Sequence, residues 1–146
     1  MADDFTLVFR GAGEPSQDPA SMVKQPIIFG DEHVADFYFV RGPRLAAVGF
    51  PDPGRYLHPE TVTDPSSIRI FIDSARDILC VEFVAGAGSA DGPTANRDAV
   101  NIELPNGSTL RANILTGADD LVVGFLVYSA SEMTGLGVND YPAFLN

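Results

Sequence analysis

The sequence contains no tryptophan, a single cysteine and a single lysine, and each shortage removes something. With Cys80 alone, neither an intrachain disulfide nor a cysteine-based metal cluster can form, and inside the apolar run "ILCVEFV" a reduced, buried thiol is the expected state. Lys24 and the arginines stand against twenty acids, for a net charge of −11. A surface of that sign repels nucleic-acid phosphates and anionic membranes, so neither is expected as a partner. A salt-rich environment would suit such a surface, and a coding bias for arginine over lysine would explain its basic side equally well.

Targeting signals are missing too. The stretch "MADDFTLVF" carries acids where a secretion signal needs bases. No run approaches the roughly 18 apolar residues of a membrane helix. The expected location is a reducing, cytoplasmic compartment or the inside of an assembled particle.

Helical spacing is the last absence. Apolar residues recur at period two or in short continuous runs, which predicts an all-β chain. Expected strands are 5–10, 26–29, 34–40, 44–50, 67–73, 78–85, 99–104, 108–115 and 121–130, separated by most of the eleven prolines and fourteen glycines. The fold class is therefore an antiparallel β-sandwich or jelly-roll-like barrel. A single β domain spans 1–133, with a long irregular N-terminal loop at 11–26 and an irregular C-terminal arm at 134–146.

The stretch "VNIELPNGSTLRANI" predicts a hairpin, because Asn-Gly sits between two alternating runs. A two-residue loop would set Ile102 opposite Arg111 and mix polar with apolar on one face. A three-residue loop of Pro105, Asn106 and Gly107 pairs Leu104 with Ser108, Ile102 with Leu110 and Val100 with Ala112, which aligns the apolar faces. Pro105 then opens a type I turn and Gly107 takes the left-handed position. A second hairpin should join 67–73 to 78–85 with Phe71 facing Leu79, so that Ile68, Ile70 and Ile72 form one face and Phe71, Leu79, Val81 and Phe83 the other. In "LVVGFLVYSA", Leu121, Val123, Phe125 and Val127 should oppose Val122, Leu126 and Tyr128. Both faces of these strands are apolar, so each needs a second cover beyond the facing sheet: a loop, an arm or a neighbouring subunit.

The motifs that would name an enzyme fail on inspection. Gly86 and Gly88 begin a dinucleotide fingerprint, but Asp91 holds the third glycine's place, and a polar run leading to a strand follows where a helix is needed. The loop at 84–98 is expected to be flexible and exposed. His33, with Asp31, Glu32 and Asp36 nearby, and His58, with Glu60, have metal-ligand chemistry without metal-ligand spacing. Asp119 and Asp120 beside Gly117 read as a hairpin turn. Ser89 lacks the glycine two residues earlier that a nucleophile elbow requires. Glu82, two residues after Cys80, would raise a thiol pKa. No catalytic set, cofactor or metal site is expected.

What remains is a compact acidic β protein with more apolar strand faces than one sandwich uses. The C-terminal arm carries Met133, Leu136, Val138, Tyr141, Phe144 and Leu145 without periodicity. The expected role is that of a non-catalytic structural subunit, one that forms a homo-oligomer or decorates a larger lattice of capsid, virion or shell type. The alternative is a binding module, either for a small molecule or carbohydrate or as an acidic inhibitor docking on a basic partner.

Overall fold

The computed structural model describes residues 5–9, 23–40, 44–64, 67–73, 75–89, 92–104, 107–134 and 143–145. In chain order, the strands of the first half are β1 (Phe5–Phe9), β2 (Val23–Phe29), β3 (Glu32–Val40) and β4 (Arg44–Phe50). Two short helices follow, α1 (Pro53–Tyr56) and α2 (Pro59–Thr63). The second half contributes β5 (Arg69–Asp73), β6 (Ile78–Glu82), β7 (Asn96–Glu103), β8 (Thr109–Thr116) and β9 (Val122–Tyr128), then helix α3 (Ala130–Thr134) and a last strand, β10 (Ala143–Leu145).

One sheet has the order β1-β4-β3-β2 and is extended at β1 by the short β10, and the other has the order β5-β6-β9-β8-β7. Among the described residues all strand-to-strand pairings are antiparallel, and Leu57 makes an isolated parallel bridge to Val122. Neither sheet closes on itself, which rules out the barrel. The runs β1-β4-β3-β2 and β6-β9-β8-β7 are both Greek-key orders, three hairpin-linked strands with a fourth reached by a long connection. The two long glycine-bearing connections of the sequence, between β1 and β2 and between β6 and β7, are the Greek-key crossings. Residues 11–22 lie outside the described residues, whereas 23–26, expected as loop, are the start of β2. Among the described residues no helix is long and apolar enough to cross a membrane.

The core between the sheets draws on both: Leu7, Phe37, Leu45 and Phe50 from one, Leu79, Leu110, Ile114 and Phe125 from the other, all fully buried. Phe83 is its hub, touched edge-on by Phe5, Phe50 and Phe125 with ring centroids 6.2, 5.6 and 6.0 Å away. Burying one such ring stabilises the fold by about 1.5–3 kcal/mol. Met133, expected on the arm, is buried in this core from α3. The backbone of Asp77 accepts Ala130 N–H at 2.8 Å and its carboxylate accepts Ser131 N–H at 3.0 Å, which caps α3 from a distant loop.

Strands β7 and β8 pair Val100 with Ala112 and Ile102 with Leu110, and Leu104 N–H donates to Ser108 O at 2.8 Å. That is the three-residue-loop register. Gly107 sits at φ 86°, while Pro105 and Asn106 lie outside the described residues. The other expected hairpin is corrected by one residue: Phe71 faces Cys80, and Ile70 and Ile72 face Val81 and Leu79. The loop decides this. Asp73 Oδ1 accepts the N–H groups of Ala75 and Arg76, and Asp77 adopts φ 55°, which makes a tight turn one residue offset from the expected one. Ile68, Ile70, Ile72, Leu79 and Val81 then share the core face, and Phe71, Ile78 and Cys80 lie on the outer one.

Alternation also breaks in β9. Thr116 pairs with Val122 but Leu115 with Gly124, so Val123 is the extra residue of a bulge whose carbonyl accepts both Phe83 and Val84 N–H. Val122 therefore joins Phe125 and Val127 in the core, and Val123 turns outward with Leu126. That outer face, with Cys80 and Leu115, is covered by the glycine-rich connection. Ala87 at its centre is fully buried, so the loop expected to be exposed is a lid on the sheet. Buried Glu82 holds it there, its carboxylate accepting Gly86 N–H at 3.3 Å, Gly88 N–H at 2.9 Å and an Arg69 guanidinium N–H at 3.2 Å. The amides that could have cradled a phosphate are taken by the protein's own carboxylate. Gly92 is fixed by closeness: a Cβ there would lie 1.8 Å from Gly86 O.

Candidate binding cleft

Strand β7 starts at Asn96, three residues before its apolar run. Its register is unbroken, so Asn96 and Asp98 lie on the same face as Val100 and Ile102, the face that meets the other sheet. Val100 and Ile102 are buried there; Asn96 and Asp98 are exposed. Polar side chains at core-facing positions are unexpected in a sandwich, and here they line a gap between the sheets. On the partner strand β8, Thr116 faces Asn96. Across the gap stand Phe29, Glu32 and Val34 of the β2–β3 hairpin.

The gap is a cleft of about 500 Å³ with an apolar floor that includes Val34, Ile114 and Val122. Helix α1 forms one wall. Its proline at the first turn is where that residue suits a helix start, a signal in "PDPGRY" that punctuation alone hides. Arg55 ion-pairs with Glu32 and lies 5.3 Å over the Tyr56 ring. Burial pushes the Tyr56 phenol above its ordinary 10.0, despite the opposing Arg55 charge. The turn 117–121 forms the opposite rim: Gly117 N–H donates to Leu121 O at 2.9 Å, Asp119 Oδ1 accepts Leu121 N–H at 3.2 Å, and Asp120 is held at φ 64°. The turn expected at Asp119 and Asp120 thus aims two carboxylates at the cleft.

A second cleft of about 550 Å³ adjoins the first at Asp119. Its lining is more apolar, with Phe83, Val84, Pro93 and Val123, together with His58 and Thr61 beside α2. His58 Nε2 is 3.4 Å from Asp119 Oδ2.

No protein-family model, curated protein or solved structure matches this chain. The clefts have to be read from their own chemistry. They offer carboxylate oxygens, hydrogen-bonding side chains such as Asn96, Thr116 and Thr61, a ring face and an apolar floor.

Of the residues weighed for metal binding or catalysis, Glu32, Asp119 and Asp120 line the first cleft and His58, Glu60 and Asp119 the second, while the others line neither. His33 pairs with buried Asp36 at 2.6 Å, and Glu32 with Arg55. Among the described residues no group of three or more His, Cys, Asp and Glu side chains is arranged to hold a metal ion. Cys80 lies under the outer apolar cluster, its pKa pushed up to about 11 by burial and then by the charges of Asp73 and Glu82. Of the arm residues, Phe144 and Leu145 belong to β10, opposite Val8 and Leu7, and Leu136, Val138 and Tyr141 lie outside the described residues. The sequence reading missed Arg55, Asn96, Asp98 and Thr116. The available signal was the alternation of Asn96 and Asp98 with Val100, which continues the strand backwards through polar residues.

Proposed function

We propose that the protein is a non-catalytic binding module that takes its ligand in the two adjoining clefts at one end of the sandwich. The observation that carries the reading is the change of residue type along one strand face, from Val100 and Ile102 to Asp98 and Asn96. A sandwich gains stability by filling such positions with apolar groups, and leaving them polar and open is justified by what enters. Amide mapping by NMR tests it, with panels of oligosaccharides, polyamines and short peptides. Ligand-induced shifts at 96–98 and 114–122 are the expected result. Shifts confined to the β1–β10 edge would sink it.

A second reading, favoured by the position of β10, is a structural subunit that forms a homo-oligomer or decorates a capsid- or shell-type lattice. A three-residue edge strand reached by a connection of several residues is an element that a neighbouring copy can supply in the same register. Facing sheets of Greek-key order also occur in jelly-roll shell proteins, an analogy of fold alone. The free edge at β2 is less suited to this, because Pro26 and Lys24 blunt it. Light scattering on the full chain and on a chain lacking 135–146 checks the reading. A salt-resistant oligomer lost on truncation supports it, and a monomer in both, 15.6 kDa for the full chain, opposes it.

A further inference from the structure

Resting on the binding-cleft reading, the geometry points to one occupant: an extended segment of a partner protein carrying an arginine or lysine followed by an apolar side chain. The argument is complementarity in two compartments. In the first, four carboxylates, from Glu32, Asp98, Asp119 and Asp120, surround an apolar floor. Two are engaged, Glu32 by Arg55 and Asp119 by His58 and Leu121 N–H. Asp98 and Asp120 pair with no described cation. They come from different elements, a strand and a turn, and face one cleft. A low-dielectric floor beneath such charges focuses their field on the cleft, where a guanidinium or ammonium group on an aliphatic stem satisfies both.

The second compartment, reached past Asp119, is walled by Phe83, Val84, Pro93 and Val123, and Glu60 and Asp119 are the acids of its lining. A compact cation leaves its apolar walls unused. An extended chain presents successive side chains to neighbouring pockets, so a basic residue in the first cleft brings a nearby apolar one to the second. The net charge of −11 steers such a partner toward the protein, while the clefts fix its register.

The test uses the full chain and the peptide acetyl-Ala-Arg-Ala-Leu-Ala-Ala amide, alongside a twin with citrulline for arginine, one with alanine for leucine, and free spermidine. Binding is followed by titration of the amide shifts at 96–98 and 114–122. The arginine peptide should bind at least roughly tenfold more tightly than the citrulline twin, the scale of a lost charge-assisted hydrogen bond. Its affinity should fall as salt rises from about 0.01 to 0.15 M, over which the screening length shrinks from about 30 to about 8 Å. The double variant Asp98→Asn, Asp120→Asn, whose second change keeps a side chain tolerant of positive φ, should lose the same factor. Citrulline and arginine peptides of equal affinity would overturn the cation. Spermidine binding as tightly as the arginine peptide, or no loss with alanine for leucine, would overturn the extended segment. If an oligosaccharide moves the cleft amides and no peptide does, this inference fails while the binding-cleft reading stands; if no ligand moves them, both fail.

Discussion

Strand β7 is two strands in one. Its second half, from Val100, puts buried apolar side chains against the facing sheet; its first half, from Asn96 to Ala99, points polar side chains into the same gap and is exposed throughout. Backbone pairing is identical in the two halves, so the ladder does not distinguish them. What changes between the halves is residue type. Hydrogen bonding thus builds a framework common to both halves, and the side chains differ where it opens.

The sharpest break of this comparison sets a closed position against an open one. Phe125→Ala should destabilise by about 3–5 kcal/mol, because the ring is fully buried and its neighbours are held by both sheets. Asp98→Ala should stay within about 0.5 kcal/mol, as surface changes usually do. Urea denaturation of both variants measures the gap. Comparable losses in the two would mean that Asp98 is structural and the cleft an accident of packing.

A smaller loss is expected at the lid. Glu82→Gln removes the charge that receives Gly86 and Gly88 N–H, and an amide oxygen can serve them only in part. A loss of about 1–3 kcal/mol follows, with faster hydrogen exchange at those two amides. The lid and the cleft then respond separately: exchange at Asn96 and Asp98 should not change.

The thiol beneath the lid gives a pH-dependent effect of similar or smaller size. Folding raises the Cys80 pKa from its ordinary 9.0 to about 11, so the folded chain holds its proton where the unfolded chain has lost it. This contribution is fully present below pH 9.0, declines as pH rises and is gone above about 11. It amounts to at most about 3 kcal/mol across that window. Stability curves of the wild type and Cys80→Ala should therefore converge between these pH values, with the wild type falling the more steeply. Parallel curves would mean that the lid admits water to the thiol.

The sequence made the framework legible and the opening illegible, for one physical reason. Period-two apolar patterns identify strands by what they bury, and all nine strands from β1 to β9 announced themselves in that way. The hairpin at Gly107 was readable because only one register aligned its apolar faces. The hairpin at Asp73 was not, because both faces of β5 and β6 carry apolar residues and a one-residue slip leaves a plausible pattern. The bulge at Val123 could not be seen in a run where every residue is apolar. Helices α1, α2 and α3, of four or five residues, are shorter than the window that reveals a helical period. The clefts were hidden most deeply. Their residues come from six separate stretches, and the two that define the opening, Asn96 and Asp98, were excluded from a strand because they are polar.

That exclusion suggests the smallest change in stability with the clearest meaning. Replacing Asn96 and Asp98 together by valine extends the apolar pattern of Val100 and Ile102 to the end of β7, opposite Ile114 and Thr116. Both new side chains have β-strand preference and an apolar floor to meet. If the opening is set by residue type, the first cleft should shrink, and the chain should gain up to about 1 kcal/mol, well short of full burial because Glu32 and Arg55 still line the far wall. Any ligand of that cleft should be lost with no change at β10. A crystal structure of the variant would show whether the hairpin at Phe29 moves toward β7. If the sheets stay equally far apart with two valines exposed, then α1 and the turn at Asp119 hold the opening, and the polar face of β7 is its consequence.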